Sequence, residues 1–340
     1  MISDLPQLLA DSPDLRYIFT GGKGGVGKTV VAAALAVHFA GQGKRTLLAS
    51  LNPVHSLGSI FGQDLSGGQI RPVAGLANLY AVEVETDEAV RRYRDNIGRR
   101  VREFLKWADI PVDSKPFIDI ASTNPAFEES AMFDRMVDVM LDASSGFERI
   151  SFDTAAVASA VRLIGLSKIY GLWLGRMIES RKEALSLRVQ LSFRRERVQE
   201  EVRKDPLLAD LLAMNDRFVA AKKILTDGNQ TAFFFVTLPL ALPIAVVRRF
   251  ISMVRQYDIP VGGVVVNEVL TEDRAAGGEE YLQNKYDEQQ GYMTTIKHDL
   301  GDLVRGFVPL YPSEVAGPDA VRRVSTDLLS FRPAYWDTLG

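Results

Sequence analysis

The segment with the clearest chemistry runs from Gly22 to Thr29 and has the sequence G-K-G-G-V-G-K-T. It matches the phosphate-binding pattern G-x-x-x-x-G-K-[ST], and it lies between an apolar strand-like stretch and an Ala- and Val-rich helix-like stretch. Glycines let backbone N–H groups converge on phosphate oxygens, and the helix N-terminus adds a partial positive charge. Lys28 is expected to reach the β- and γ-phosphates of ATP, and Thr29 to ligate Mg²⁺. The expected phosphate-contacting residues are Gly22, Lys23, Gly24, Gly25, Val26, Gly27, Lys28 and Thr29.

Lys23 is a second lysine inside the same loop. It cannot easily fold back on its own nucleotide, because Lys28 already occupies that approach. A lysine at this position can instead reach a nucleotide across a symmetric interface, where it would offset charge on the transferring phosphoryl group as an arginine finger does. Lys23 therefore predicts a homodimer with a catalytic contribution from each partner.

Asp153 ends the apolar run Ile150-Ser-Phe-Asp153, which is typical of a short buried strand. A carboxylate at the carboxyl end of a core strand beside a phosphate-binding loop is suited to support Mg²⁺. We expect Asp153 to be the second metal-supporting residue, together with Thr29.

Strand-like and helix-like segments alternate along most of the chain, which favours a mostly parallel sheet covered on both faces. The expected fold class is a doubly wound α/β sheet of the P-loop NTPase type. The predicted strands are 16–20, 46–51, 79–84, 149–153, 231–237, 261–267 and 306–310. The predicted helices are 29–40, 86–107, 125–141, 243–257 and 318–329.

No strand pattern occurs between Leu163 and Leu225, and Pro206 is placed to begin a helix. We interpret 164–226 as a helical subdomain inserted in a single ATPase domain of residues 1–340. Arg176 to Lys204 holds nine basic and five acidic residues, which we interpret as a solvated helical face in preference to a nucleic-acid or lipid patch.

Composition excludes several other classes of chemistry. The chain has 340 residues, a formal net charge of −3 and no cysteine, so disulfides, iron–sulfur clusters and cysteine-ligated zinc or arsenite are excluded. No nucleic-acid partner is expected without a basic footprint. The apolar stretch from Ala232 to Phe250 contains two prolines and ends in arginines, which indicates a strand and a helix and not a membrane span. We expect a cytoplasmic protein, either free or peripheral to a membrane.

With Lys23 in the loop and Asp153-Thr-Ala after a strand, the chain resembles the deviant-Walker-A ATPases. Within them it is most similar to the arsenical-pump ATPase family, which includes the targeting factor for tail-anchored membrane proteins. The family pattern S-T-D-P-A-H-S-L corresponds to Ser50–Leu57, P-G-x-E-E to Pro125–Glu129, and the second switch to Asp153–Leu163. The resemblance covers about half of the chain, in four blocks: 17–61, 125–166, 218–270 and 308–324.

The resemblance also assigns nucleotide contacts outside the loop. Asn267 follows the strand Val264-Val-Val266 and stands where the family recognises adenine; a carboxamide suits this task because it both donates and accepts. Val30 and Pro309 are likewise placed among the nucleotide-contacting residues. The expected cofactors are ATP and Mg²⁺.

Several positions depart from the family pattern. Asn52 replaces the aspartate that orients the attacking water, Leu51 replaces a threonine, and Leu240 replaces a nucleotide-contacting glutamate. An amide presents donors where a carboxylate has only acceptors, so hydrolysis is expected to be slow. Asn52 is either an introduced change that traps ATP or the residue of a natural paralogue; the neighbouring departures favour the natural one.

Three functions remain open at this point. The leading one is a homodimeric ATP-driven switch whose helical subdomain binds a client segment or a membrane partner, motivated by an apolar cluster between Leu163 and Ile178. For that cluster, an ordinary subdomain core is slightly favoured over a client-binding surface. The alternatives are a MinD- or ParA-like positioning ATPase and a nucleotide-binding scaffold without turnover.

Overall fold

The computed structural model describes residues 4–52, 56–107, 111–113, 115–154, 175–176, 178–187, 189–190, 206–277 and 280–339. Contacts divide them into two compact units, which are described separately. The sheet unit comprises the described residues of Met1–Glu85, Asp142–Val161 and Ile224–Gly340. The helical unit comprises those of Thr86–Leu141 and Arg162–Lys223.

The sheet unit is built on eight strands in the order β3-β4-β2-β5-β1-β6-β7-β8. All neighbouring pairs are parallel except β3 with β4. The predicted α/β class is thereby confirmed. The strands are β1 Tyr17–Gly22, β2 Thr46–Ser50, β3 Arg71–Pro72, β4 Leu79–Glu83, β5 Arg149–Asp153, β6 Thr231–Thr237, β7 Val261–Val269 and β8 Val304–Pro309.

Three predicted strand boundaries were wrong by two residues, and one of them is the end of β7, which extends to Val269 and not to residue 267. The first strand extends to Gly22 because Gly21 and Gly22 still pair with Phe235 and Val236 of β6. The last strand begins at Val304, not at residue 306, because Val304 pairs with Val264 of β7. Pairing with a neighbour decides where a strand ends, and a single sequence does not show the neighbour.

Helices cover the sheet unit, and several of them were not predicted. The described helices are α1 Leu5–Asp11, α2 Lys28–Gly41, α3 Leu57–Phe61, α8 Ala241–Arg255, α9 Glu272–Ala276, α10 Glu280–Leu300 and α11 Pro318–Ser330. The long helix α10 escaped the sequence analysis because its buried face is narrow and partly polar: Gln289, Met293, Ile296 and Leu300.

The core of the sheet unit lies on both faces of the central strands. On one face the Ala- and Val-rich helix α2 packs closely against the sheet, and α1 and α11 contribute to the same apolar cluster. On the other face, Phe19 of β1 stacks between Phe152 of β5 and Phe233 of β6 at centroid distances of 4.6 and 4.4 Å. These three residues are paired in register across the strands, so their stacking stabilises the alignment of the central strands.

The helical unit contains α4 Thr86–Trp107, α5 Lys115–Ser122, α6 Pro125–Leu141, helical residues 178–187 and most of α7, Pro206–Leu225. Pro206 does begin a helix, as predicted. The described residues of this unit include no strand. The proposed subdomain 164–226 contributes α7 and residues 178–187, and the structure groups α4 to α6 with them.

The apolar cluster between Leu163 and Ile178 lies outside the described residues except for a few positions, and Ile178 itself is buried. Among the helices that the structure describes, none combines the length and the apolar character that a membrane span requires.

Candidate nucleotide site

The predicted phosphate loop connects the end of β1 to the start of α2. Gly27 takes the N-cap position of α2 with φ 85°, a left-handed conformation that disfavours residues with a side chain. A Cβ at Gly27 would also lie 2.2 Å from Nδ2 of Asn267. Conformation and close packing therefore both require glycine at this position.

The outer part of the loop is open. Gly24 and Gly25 are exposed, and a Cβ built on either of them would meet no atom within 4 Å. No side chain caps the N-terminus of α2, so its first N–H groups are available to an anion. This is the geometry of a phosphate cradle.

Lys28, the first residue of α2, lies against this loop. Its side chain is buried, and Nζ donates a hydrogen bond to the carbonyl oxygen of Lys23 at 3.1 Å. Burial lowers the pKa of the Lys28 ammonium, and the charge of Asp153 opposes that shift. The cation is thus held beside the cradle and next to the carboxylate.

Lys23 is half-buried, and its charge contributes to lowering the pKa of Lys28. The two ammonium groups are therefore close enough to repel each other. No carboxylate of the described chain forms an ion pair with Lys23. The role of Lys23 across a dimer interface stays a prediction.

Asp153 is the last residue of β5 and is fully buried. Its Oδ2 accepts hydrogen bonds from Oγ1 of Thr29 at 2.8 Å and from Oγ of Ser50 at 3.2 Å. Burial raises the pKa of the Asp153 carboxyl, while the bond from Thr29 and the charge of Lys28 act in the opposite direction. The structure thus joins the two predicted metal-supporting residues, Thr29 and Asp153.

The donor set fits a magnesium ion. Oδ1 of Asp153 is buried and has no hydrogen-bond partner, which is costly unless a cation or water meets it. Within the described residues no group of three or more His, Cys, Asp or Glu side chains could hold a metal. Mg²⁺ does not require such a group, because it binds proteins through one or two ligands and takes the rest from water and phosphates.

Two residues of this network were not singled out from the sequence. Ser50 ends β2 and Glu83 ends β4, and the pairing register aligns both with Asp153 at the end of β5. Their common position at strand ends was a usable signal, because carboxyl ends of parallel strands share one edge of the sheet.

Asn52 lies two residues beyond β2, where its backbone N–H donates to Oγ of Ser50 at 3.3 Å. That bond places its backbone next to the Asp153 network. Residues 53–55 of the same loop and residues 155–160 of the second switch lie outside the described residues. The role of Asn52 in orienting water stays a prediction.

Asn267 is buried in β7, and its Nδ2 donates to the carbonyl oxygen of Val26 at 3.0 Å. This hydrogen bond ties the phosphate loop to β7. Val30 is half-buried in the first turn of α2, and Pro309 pairs with Val269 at the ends of β8 and β7. The predicted adenine contact of Asn267 is not tested by these contacts.

A parallel sheet with a phosphate loop after its central strand, and a buried carboxylate at the end of the adjacent strand, defines a P-loop NTPase. The family model for anion-transporting ATPases matches residues 15–330, so the chain belongs to that family and is an ATPase. This confirms the resemblance drawn from the loop and the strand ends.

Named relatives match most of the chain. ATPase GET3B of Arabidopsis thaliana is 28% identical over 322 residues, 90% of this chain and 77% of the relative. A putative arsenical pump-driving ATPase 2 of Aquifex aeolicus is 26% identical, covering 92% of this chain and 98% of the relative. ATPase ASNA1 homolog 2 of Paramecium tetraurelia is 26% identical, and the match covers 94% of this chain and 95% of the relative.

Proposed function

We propose that this ATPase is a homodimeric switch that couples its nucleotide state to the binding of a client segment or a membrane partner. The observation that carries the proposal is the pair of lysines in one phosphate loop. Lys28 is bound into its own loop, whereas Lys23 has no ion-pair partner among the described carboxylates. A second cation beside a first is unfavourable in an isolated chain, but it becomes useful when a partner's phosphates approach.

The loop and its neighbours supply the nucleotide contacts. Backbone N–H groups from Gly24 to Thr29 bind the phosphates, and the ammonium of Lys28 lies against the β- and γ-phosphates. Thr29 and Asp153 hold Mg²⁺, which when bound neutralises charge on the phosphate oxygens. Asn267 contacts adenine, with Val30 and Pro309 beside it.

Exposed leucines support an interface at this end of the sheet unit. Leu240 and Leu242, which follow the end of β6, are 40% and 59% exposed, and β6 is the neighbour of β1. Apolar side chains exposed after the strand next to β1 can be covered by a second copy of the chain.

Slow turnover is a further part of the proposal. Asn52 cannot accept a proton from the attacking water, and a positioned base contributes typically ~10²–10⁴-fold. The dimer would therefore remain in its ATP-bound state for long periods, which suits a switch that retains a client.

The helical unit is the proposed client-binding part. On α7, Leu212 and Val219 are both exposed, and a separation of seven residues places them on the same helical face. These two side chains are separated on that face by Asn215 and Asp216, so they offer two apolar contacts to a hydrophobic segment and not a continuous apolar stripe. Arsenite binding through cysteine is not proposed, because the chain has none.

The decisive experiment measures molar mass by light scattering, without nucleotide and with a non-hydrolysable ATP analogue plus Mg²⁺. We expect the analogue to convert wild type into a dimer. Lys23→Ala should still bind the analogue in calorimetry but remain monomeric. Lys285→Ala is the control, since it removes an exposed lysine of α10 whose partner is Glu288.

Normal dimerisation and turnover in Lys23→Ala would reject the trans lysine. A wild type that stays monomeric while binding ATP would favour a scaffold. Co-sedimentation with liposomes or DNA only when ATP is present would favour a positioning ATPase instead.

A further inference from the structure

Two buried carboxylates lie in one row across the sheet. Glu83 at the end of β4 pairs with Ser50 at the end of β2, and Ser50 pairs with Asp153 at the end of β5. Glu83 is 2% exposed. Asp153 belongs to the nucleotide site, but no family pattern considered above assigns a task to Glu83.

Glu83 binds the start of the short helix that follows the Asn52 loop. Its Oε1 accepts a hydrogen bond from the backbone N–H of Leu57 at 2.6 Å and a second from that of Gly58 at 3.3 Å. These are the first two residues of α3, whose N–H groups have no partner within the helix. Glu83 therefore caps α3 from a different strand.

This arrangement leaves the ordinary capping residue available for another contact. Ser56 occupies the N-cap position of α3, where serine normally accepts a bond from the helix, but its side chain makes no capping bond. Its Oγ donates to Oγ1 of Thr29 at 3.4 Å instead. Because Glu83 caps α3, the hydroxyl of Ser56 is not needed as a cap. It lies instead beside Thr29, a predicted magnesium ligand.

Stability alone does not account for a carboxylate at this position. Burying a negative charge is costly, and a serine cap satisfies a helix start without that cost. The charge of Glu83 also acts against the ionisation of Asp153 two strands away. A carboxylate that caps a helix from a neighbouring strand, and whose charge acts on Asp153, is therefore a candidate for a functional role.

We propose that Glu83 is a positioning residue for ATP hydrolysis. It fixes the end of the segment that joins Asn52 to α3, and it thereby holds the hydroxyl of Ser56 against Thr29. This inference rests on the proposed magnesium site at Thr29 and Asp153, and it adds Glu83 to the strand-end residues Ser50 and Asp153 as a third.

The test compares Glu83→Ala, Glu83→Gln and the control Glu85→Ala. Glu85 lies two residues away and also accepts a hydrogen bond from a backbone N–H, that of Gly67 at 2.7 Å, which lies outside α3. Three quantities are measured. They are the rate of single-turnover phosphate release, the affinity for a non-hydrolysable ATP analogue at saturating Mg²⁺, and the Mg²⁺ concentration at which binding of the analogue is half-maximal.

We expect Glu83→Ala to lower the rate about 10²-fold, the loss typical of a displaced catalytic group, and to raise the Mg²⁺ requirement. Analogue affinity at saturating Mg²⁺ should change little, because the phosphate loop is intact. Glu83→Gln should recover most of the rate, since its amide oxygen still accepts from Leu57. Glu85→Ala should match wild type.

Ser56→Ala keeps the Glu83 cap and removes only the hydroxyl, so it decides the matter if Glu83→Ala does not fold. It should raise the Mg²⁺ requirement as Glu83→Ala does, and the double variant should be no worse than either single one. Wild-type rate and Mg²⁺ dependence in either Glu83→Ala or Ser56→Ala would overturn the inference, as would a Glu83→Gln as slow as Glu83→Ala. A wild type that binds no ATP would overturn the proposed function as well.

Discussion

The two units treat a buried carboxylate in opposite ways. In the sheet unit, Asp153 is held by neutral hydroxyls and keeps one oxygen without a hydrogen-bond partner. In the helical unit, Asp138 of α6 is 7% exposed and forms ion pairs with Arg92, Arg135 and Arg217. The first carboxylate has the charge of Lys28 nearby but no ion pair with it, and the second is surrounded by cations from three helices.

The difference separates a binding site from a structural contact. A carboxylate that already has three cationic partners gains little from a metal ion. A carboxylate whose pKa is raised by burial gains a great deal, because a divalent cation replaces the lost hydration. Buried charge alone therefore does not identify a functional site; what distinguishes Asp153 is a buried carboxylate oxygen that has no hydrogen-bond partner in the fold.

Both units also have apolar cores. The sheet unit has extensive clusters around α2. In the part of the helical unit that the structure describes, Ile178 and Leu211 are buried with Leu208 and Met214 packed against them, and Met136, Val137 and Met140 of α6 are buried as well. Polar contacts also join helices of this unit, such as Arg100 with Asp210 at 2.7 Å.

The largest expected effect is loss of nucleotide binding in Lys28→Ala. This change removes a buried cation beside the phosphate cradle and leaves the loop backbone in place. We expect ATP affinity in calorimetry to fall by about 10²-fold or more, since hydrogen bonds to charged groups contribute about 1.5–3 kcal/mol each. Lys44→Ala is the control, because this lysine lies over the ring of Phe39, away from the loop. Unchanged affinity in Lys28→Ala would reject the nucleotide site.

The next effect concerns stability and belongs to the helical unit. Asp138→Asn keeps the shape of the side chain but leaves three arginines without their shared anion. We expect a loss of about 1.5–3 kcal/mol in the free energy of unfolding of this unit. Affinity for ATP should not change, because Asp138 is not part of the nucleotide site. An equally stable variant, or one that binds ATP more weakly, would contradict the division between structural and binding carboxylates.

The sequence predicted the parts of the site that are local in the chain. The phosphate loop is eight consecutive residues, and Asp153 follows an apolar run, so each carried its own signal. Glu83 did not, because its partners Leu57 and Gly58 lie about 25 residues away and only folding brings them together.

The same reason explains the errors in the fold. β1 extends through glycines, which are poor strand formers, because β6 provides pairing partners for them. Helix α10 buries Gln289, whose amide bonds both backbone groups of Leu270, a tertiary contact that no periodicity of apolar residues reveals. Local patterns predict elements well, whereas contacts distant in sequence set their ends and their polar residues.

A smaller effect is expected at Asn52. If turnover is slow because this residue cannot act on water, Asn52→Asp should raise steady-state phosphate release by about tenfold or more, which corresponds to about 1.4 kcal/mol. ATP affinity should change little. Asn124→Asp is a suitable control, since it adds the same charge in the helical unit. No increase, together with brisk hydrolysis by wild type, would mean that a group other than residue 52 orients the water, with Asp153 as the candidate.

The smallest expected effect compares a carboxylate that has ion-pair partners with one whose pKa is raised by burial, within a single helix. Asp134 lies one turn before Asp138 on α6, and the pKa of its carboxyl is raised first by burial and second by the charge of Asp138. The folded state therefore binds the proton of Asp134 more tightly than the unfolded chain does. The resulting penalty is absent below the unfolded pKa of about 3.9 and complete above the raised folded pKa.

Asp134→Asn removes that penalty, so at neutral pH it should be more stable than wild type by less than about 1 kcal/mol, since this carboxyl is only partly buried. The gain should vanish as the pH falls through the folded pKa, whereas Asp138→Asn loses stability at neutral pH. Thermal melts of both variants from pH 4 to pH 8 measure this, and a destabilised Asp134→Asn at neutral pH would mean that the nearby arginines compensate Asp134 as fully as they do Asp138.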